Sequence, residues 1–318
     1  MIASFRPDRY VNPYTDFGFK MLFGTEINKE LLISFINSLL HGQEVIKDLT
    51  YLNTEHLGTS EVDRRAIFDV YCENENGEKI LVEMQRGEQQ FFKDRSLYYA
   101  TFPIREQGQK GEWNYRLKAV YVIGILNFVF DDNHDDYYHH EVRLMDSRTK
   151  EVFYDKQTFI YLEMPKFNKT EDQLETLFDK WLYVLKNLSR LLERPAALQD
   201  RVFNRLFETA EIAKFTKKQI DDYEDSLKVY RDWKNTIDTA HLKGRTEGET
   251  IGIEKGEAIG LQKGEAIGLQ KGEAIGIKKG ETIGQKKIVL QMLNNGITKE
   301  QICQFTGLTV EEIESCIQ

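Results

Sequence analysis

The residues of this chain best suited to chemistry lie in one short hairpin. Asp69 follows Ile67 and Phe68 and precedes Val70, and Glu83 follows Ile80, Leu81 and Val82. A carboxylate inside an apolar strand is costly unless something compensates it. Between the two runs lies Asn74-Glu75-Asn76-Gly77-Glu78, a strong turn signal. A short loop at 75–77 with Gly77 in the left-handed conformation sets Asp69 opposite Glu83. Two facing carboxylates repel, and a divalent cation relieves both the repulsion and the burial. Hard cations such as Mg²⁺ combine a few carboxylates with water and phosphate oxygens. A metal held this way activates water and stabilises charge on a phosphate. Gln85 lies two residues beyond Glu83 and so shares its face, with an amide suited to orienting water or a phosphate oxygen. A plainer reading stays open, because Asp and Glu also occupy the solvated face of edge hairpins.

The elements that must position these residues follow from apolar periodicity. Residues 16–40 read as helix, with Phe19, Leu22, Phe23, Ile27, Leu31, Leu32, Phe35, Ile36 and Leu39 recurring at three and four. Gly24-Thr25 predicts a bend within it. Residues 66–73 and 79–85 are β-rich, and 89–107 read as helix. Residues 118–128 are almost wholly apolar, as in a strand covered on both faces. A polar loop at 131–136 precedes further strands at 137–144 and 158–163. Strands mixed with helices in this span imply an α/β sandwich.

From Thr170 the chain turns helical. Leu174, Leu177, Phe178, Trp181, Leu182, Val184, Leu185 and Leu188 form one stripe, and helices are predicted at 196–214 and 216–242. Then the unit Gly-Leu-Gln-Lys-Gly-Glu-Ala-Ile repeats every eight residues. Glycine fills every fourth position from Gly244 to Gly284, half of the chain's 22 glycines. Each glycine costs a helix about 1 kcal/mol against alanine, roughly 10 kcal/mol over the segment. Gly, Ile and Leu share one helical face, which drifts by about 80° per repeat in the right-handed sense. Two readings stand: a self-association stalk and a flexible spacer. The end of the chain is a compact helical unit. A helix at 288–294 closes at Asn295-Gly296, and Thr298-Lys299-Glu300-Gln301 and Thr309-Val310-Glu311-Glu312 are capping boxes around a turn at Gly307. That is the form of a helix-turn-helix. Residues 288–318 hold one lysine and no arginine against Glu300, Glu311, Glu312 and Glu314. This weak electrostatic footprint favours packing or oligomerisation over groove binding.

Composition excludes several classes. The 318 residues are 41% hydrophobic and 12% aromatic, enough for a real core, and the formal net charge of -9 argues against a protein that coats nucleic acid by bulk charge. Local grip assisted by metal ions remains compatible. Cys72, Cys303 and Cys316 show no C-x-x-C spacing and read as reduced thiols of a cytoplasmic protein. Residues 1–7 lack the apolar core of a signal peptide. No apolar run approaches the roughly 18 residues that a membrane span needs. His139 and His140 are adjacent in a predicted strand and point to opposite faces, which argues against a shared metal. His56 beside Glu55 and His41 beside Gly42 read as loop residues. There is no Ser-His-Asp pattern and no phosphate loop.

Asp69, a glycine-containing turn and Glu83-x-Gln85 resemble the core of the PD-(D/E)XK nuclease superfamily. More specifically, the chain resembles the Rpn family of recombination-promoting nucleases and transposase-like proteins. The resemblance is carried by Tyr14-Thr15-Asp16-Phe17-Gly18-Phe19-Lys20-Met21-Leu22-Phe23-Gly24 and Val82-Glu83-Met84-Gln85. Arg95-Ser96-Leu97-Tyr98-Tyr99, Val120-Tyr121-Val122-Ile123-Gly124-Ile125 and the charged glycine repeat add to it. It implies a restriction-endonuclease-like mixed sheet flanked by helices, followed by an all-helical C-terminal region. It also implies a Mg²⁺-dependent DNA endonuclease with Asp69 and Glu83 as metal ligands. Gln85 stands where the superfamily has lysine, and Asp16 where it often has a further acid. Phe68 replaces the proline before the aspartate. Gln85 carries no charge, so Lys93 and Arg95 are candidate supporting cations, with plain surface roles as the alternative. The expected division is a nuclease domain at 1–168, a helical region at 169–243, the repeat at 244–285 and the helix-turn-helix-like unit at 286–318. DNA is the expected partner, with homo-oligomers formed through the repeat and no membrane. The rival is a catalytically impaired nuclease fold acting in DNA binding, regulation or oligomerisation.

Overall fold

The turn that sequence places between the two carboxylate-bearing runs forms as an antiparallel hairpin. Gly77 has φ 77°, a conformation that only glycine adopts without strain. Its N–H donates to the Asn74 carbonyl at 2.9 Å, and β4 (Val70–Asn74) pairs with β5 (Lys79–Gln85) in the register Val70 to Val82. The computed structural model describes residues 8–40, 45–56, 66–130 and 137–317. Residues 1–7, the His41-Gly42 pair and the loop read at 131–136 lie outside the described residues.

Around this hairpin a mixed sheet grows. Among the described residues six strands follow the order β1 (Leu49–Tyr51), β4, β5, β6 (Val120–Leu126), β8 (Val152–Glu163) and β7 (His139–Met145). Strands β5, β6 and β8 run parallel, and the others pair antiparallel. Two short strands, β2 (Glu55–His56) and β3 (Ala66–Ile67), make a separate antiparallel pair. The apolar run at β6 is central, with Val120, Ile123, Ile125 and Leu126 all buried.

Alternation divides the sheet residues between two cores. Ile80, Val82 and Met84 join Val70, Cys72, Ile123 and Ile160 under α1 (Asp16–Phe23), α2 (Lys29–Leu39), α4 (Leu177–Asn187) and α5 (Arg201–Ala210). The first turns of α6 (Lys217–Asn294) join that layer through Tyr223 and Leu227. Leu81, Val122, Phe159 and Tyr161 face the other way, against Phe92, Ala100 and Phe102 of α3 (Phe92–Glu106). The bend expected at Gly24-Thr25 separates α1 from α2.

Two expectations change. The division at residue 168 does not separate two cores. Trp181 is fully buried against Phe23, Phe35 and Phe203, and its indole N–H donates to Ser34 Oγ at 3.1 Å. The stripe read as the start of a helical region is the cover of the sheet, and the first compact unit runs to Lys234. The strand predicted at 66–73 is interrupted at Phe68 and Asp69, which belong to neither β3 nor β4.

The second unit, Asn235–Gln318, comprises the rest of α6 with α7 (Lys299–Thr306) and α8 (Val310–Ile317). Its core is Val289, Ile302 and Ile313. The Thr298 capping box forms, and Gly296 and Gly307 take positive φ. The glycine repeat is helical throughout, continuous with the helix predicted at 216–242. Leu261 and Leu269 are exposed, and a Cβ at any repeat glycine meets nothing within 4 Å. Among the described residues no helix is long and apolar enough to cross a membrane.

Two outcomes test this description. Trp181→Ala destabilises the first unit by about 3–5 kcal/mol in urea unfolding, the range for a buried aromatic truncated to a cavity; a loss below about 1 kcal/mol contradicts a shared core. Replacing Gly260, Gly264 and Gly268 together by alanine raises the melting point of the helical circular-dichroism signal, each site adding about 1 kcal/mol. A lower melting point means that these positions press against another helix.

Candidate active site

The break at Phe68-Asp69 sets the local geometry. Asp69 sits one residue beyond the last ladder pair, Val70 with Val82. Freed from the ladder, its Oδ2 accepts the Met84 backbone N–H at 2.8 Å. Its carboxylate therefore lies across the end of β5, beside Glu83. Glu83 continues the strand and is itself buried. In the parallel register Glu83 stands beside Gly124, and Gly124 beside Tyr161. A Cβ at Gly124 would come to 3.0 Å from the Tyr161 ring, a tight contact that glycine avoids. Tyr161 OH bonds Ser96 Oγ at 2.8 Å. That bond holds the first turns of α3 near the end of β5, with Arg95 next in sequence.

Asp69, Glu83 and Gln85 line one cleft of about 430 Å³ with Asp16, Arg86 and Arg95. The structure thus brings together all four site residues named from sequence, together with one of the two candidate cations. Lys93 turns elsewhere, its ammonium 4.5 Å from the Phe130 ring. Arg95 has one terminal nitrogen 3.8 Å from Glu83 Oε2 and donates from the other to Gln89 Oε1 at 2.8 Å. Its guanidinium also lies 4.8 Å from the Tyr99 ring. Gln85 Nε2 donates to the Gly87 carbonyl at 3.2 Å. Asp16, in the first turn of α1, is half-exposed and paired with Lys20 at 2.9 Å.

Sequence reasoning missed the cleft's wall from α6. Val229 and Trp233 line it, and the Trp233 indole lies against Gly87. The same helix steadies α1, since Tyr223 OH accepts from Asn12 N–H at 3.0 Å and Ser226 Oγ from Phe17 N–H at 3.1 Å. Nothing in the local pattern of α6 links it to a hairpin so distant in the chain.

The electrostatics follow from burial. Desolvation pushes the Glu83 carboxyl up to about 8, Arg95 opposes the shift and Asp69 adds to it. Asp69 is also raised by burial, against the Met84 N–H bond. Glu83 Oε1 is buried with no hydrogen-bond partner. Such an orphaned oxygen beside a second carboxylate fits a hard cation. Among the described residues no group of three or more His, Cys, Asp and Glu side chains is arranged to hold a metal ion. Ligands beyond Asp69 and Glu83 would have to be water or substrate oxygens. His139 and His140 do point to opposite faces, one against Phe178 and the other against Phe130.

Residues 13–240 match the model of the PD-(D/E)XK nuclease family transposases. Residues 284–318 match that of the C-terminal HTH domain of the Rpn/YhgA-like nuclease family. No match was found among curated proteins or among solved structures.

The raised Glu83 carboxyl predicts a pH dependence with a definite sign. In a chelator the folded protein keeps a proton that the unfolded chain releases near 4.5, the ordinary glutamate value, and loses it only near 8. The stabilisation is therefore fully present below 4.5 and lost as pH rises to about 8. Denaturant unfolding across that window should show wild type losing stability relative to Glu83→Gln as pH rises. Parallel pH profiles for the two proteins contradict the assignment.

Proposed function

The chain belongs to the PD-(D/E)XK nuclease family transposases, and from that premise we propose that its cleft hydrolyses DNA phosphodiesters as a Mg²⁺-dependent endonuclease. The observation that carries the reading is the pair Asp69 and Glu83, a half-buried and a buried carboxylate lining one cleft, with Glu83 Oε1 unpartnered. These two would hold the ion. Once bound, a divalent cation supplies a water of lowered pKa and neutralises charge on the scissile phosphate.

The other residues take roles set by their positions. The Met84 N–H fixes the Asp69 carboxylate across the end of β5. Burial pushes the Glu83 carboxyl up to about 8, so it would exchange a proton for the cation on binding. Arg95 supplies the positive charge that Gln85 lacks. A guanidinium braced by Gln89 and Tyr99 keeps a planar fork for phosphate oxygens. The Gln85 amide, tethered to Gly87, orients a water or a phosphate oxygen. Asp16 adds negative charge at the cleft mouth, consistent with a role as an auxiliary acid.

The C-terminal unit contributes less to DNA grip on this reading. Its one lysine after residue 287, Lys299, pairs with Glu314 at 2.8 Å. Association of copies through the glycine repeat suits its exposed Ile and Leu residues better. A second reading, DNA binding without hydrolysis, is favoured by one observation, the neutral Gln85 in place of lysine.

Plasmid nicking with Mg²⁺ separates the two. Wild type should nick, and Asp69→Ala and Glu83→Ala should fall to background. Arg95→Ala should lose about 100-fold, the scale for removing one donor to transition-state charge, with Arg95→Lys retaining part. Equal nicking by all of these proteins overturns the assignment. Plasmid binding without cleavage by wild type establishes the second reading.

A further inference from the structure

Among the described residues, strand β7 closes one end of the sheet, with β8 on one side and no strand on the other. The Glu163 N–H donates to the Tyr138 carbonyl at 2.9 Å. Backbone groups alternate along a strand, so the even-numbered residues of β7 address β8. Those of His139, Glu141 and Arg143 therefore point away from the sheet. A bulge between Arg143 and Met145 ends the regular ladder. This edge is not masked by apolar burial. Val142 is 46% exposed, and Leu144, Met145, Val152 and Phe153 at the outer end of the β7–β8 hairpin are exposed too, as is Tyr137 ahead of the strand.

Edge strands ordinarily carry devices that block pairing. Here the charges do the reverse. Glu141 and Arg143 are two apart, so they share a face, and they pair with each other in the single chain. Arg143 Nε is buried without a hydrogen-bond partner. An antiparallel copy centred on Val142 places each Glu141 opposite the other copy's Arg143. Both residues direct their backbone groups outward, so the same register makes them hydrogen-bonded pairs. Val142 meets its own copy in the closer, non-hydrogen-bonded position. The apolar hairpin end of one copy then runs beside Tyr137 and His139 of the other. Charge, backbone parity and apolar cover all select this one register.

We infer that β7 is a self-pairing edge, through which two copies of this chain join antiparallel about Val142 into one continuous sheet. The inference is independent of the nuclease reading and of association through the glycine repeat.

Cysteine cross-linking of the full chain reads the register directly. In the proposed dimer the two Val142 Cα atoms lie about 4.5 Å apart, within disulfide range. Val142→Cys should form a covalent dimer with oxidised glutathione, which is reduced to the thiol as the disulfide forms. Arg143→Cys, about 8 Å from its own copy, should cross-link no faster than wild type with its native Cys72, Cys303 and Cys316. Adding Glu141→Arg or Arg143→Glu to Val142→Cys should slow cross-linking about tenfold, since like charges then face each other at two places. Adding both should restore it. Val142→Cys that links no faster than Arg143→Cys overturns the proposal, as does a charge swap that fails to restore the rate.

Discussion

Taking two carboxylates out of water at one point is the constraint on which the rest of this structure turns. Asp69 and Glu83 stand at the end of a hairpin whose other buried residues, Asn74 apart, are apolar. Among the described residues neither accepts a hydrogen bond from a charged side chain. Asp69 has one backbone N–H, and Glu83 has an arginine nitrogen 3.8 Å away, too far for a hydrogen bond. Desolvation dominates both titrations and pushes them upward. On the proposed reading, a cation entering the site would offset that desolvation cost.

The surrounding elements serve to keep that pair in place. The Gly77 turn fixes the register of β4 on β5. The parallel neighbours β6 and β8 bury the other strands of the site, and the Tyr161–Ser96 bond sets α3 so that Arg95 reaches the cleft. On the opposite layer α1 is held by Tyr223 and Ser226 of α6, which places Asp16 at the cleft mouth. The helices after residue 168 are thus part of the same folding unit as the hairpin, and the Trp181 contacts join α1, α2 and α5 within one layer.

The hairpin was legible because its information is local. The apolar runs, the Asn74 to Gly77 turn and the resulting register are all written within the twenty residues 66–85. The same locality explains Gly24, the capping boxes and the opposite faces of His139 and His140. What escaped depends on distance in the chain. The strand break at Asp69 comes from a tertiary hydrogen bond to Met84. The Trp233 wall depends on a contact with Gly87, far back in the chain, and the α6 clamp on α1 on contacts across 211 and 209 residues. The stripe from Leu174 to Leu188 showed a buried face, but periodicity cannot say which core buries it, and so the expected division fell too early. The repeat reads as a poor helix on propensity alone, yet it follows without a break from a helix that is anchored at its start.

The central claim is that Asp69 and Glu83 share one divalent cation. Anomalous diffraction from crystals soaked in Mn²⁺ tests it most directly, because the ion is located without reference to activity. The account predicts a peak touching both carboxylates in wild type and none in Glu83→Gln. A wild-type crystal with Mn²⁺ bound elsewhere and no peak between these two side chains would contradict it.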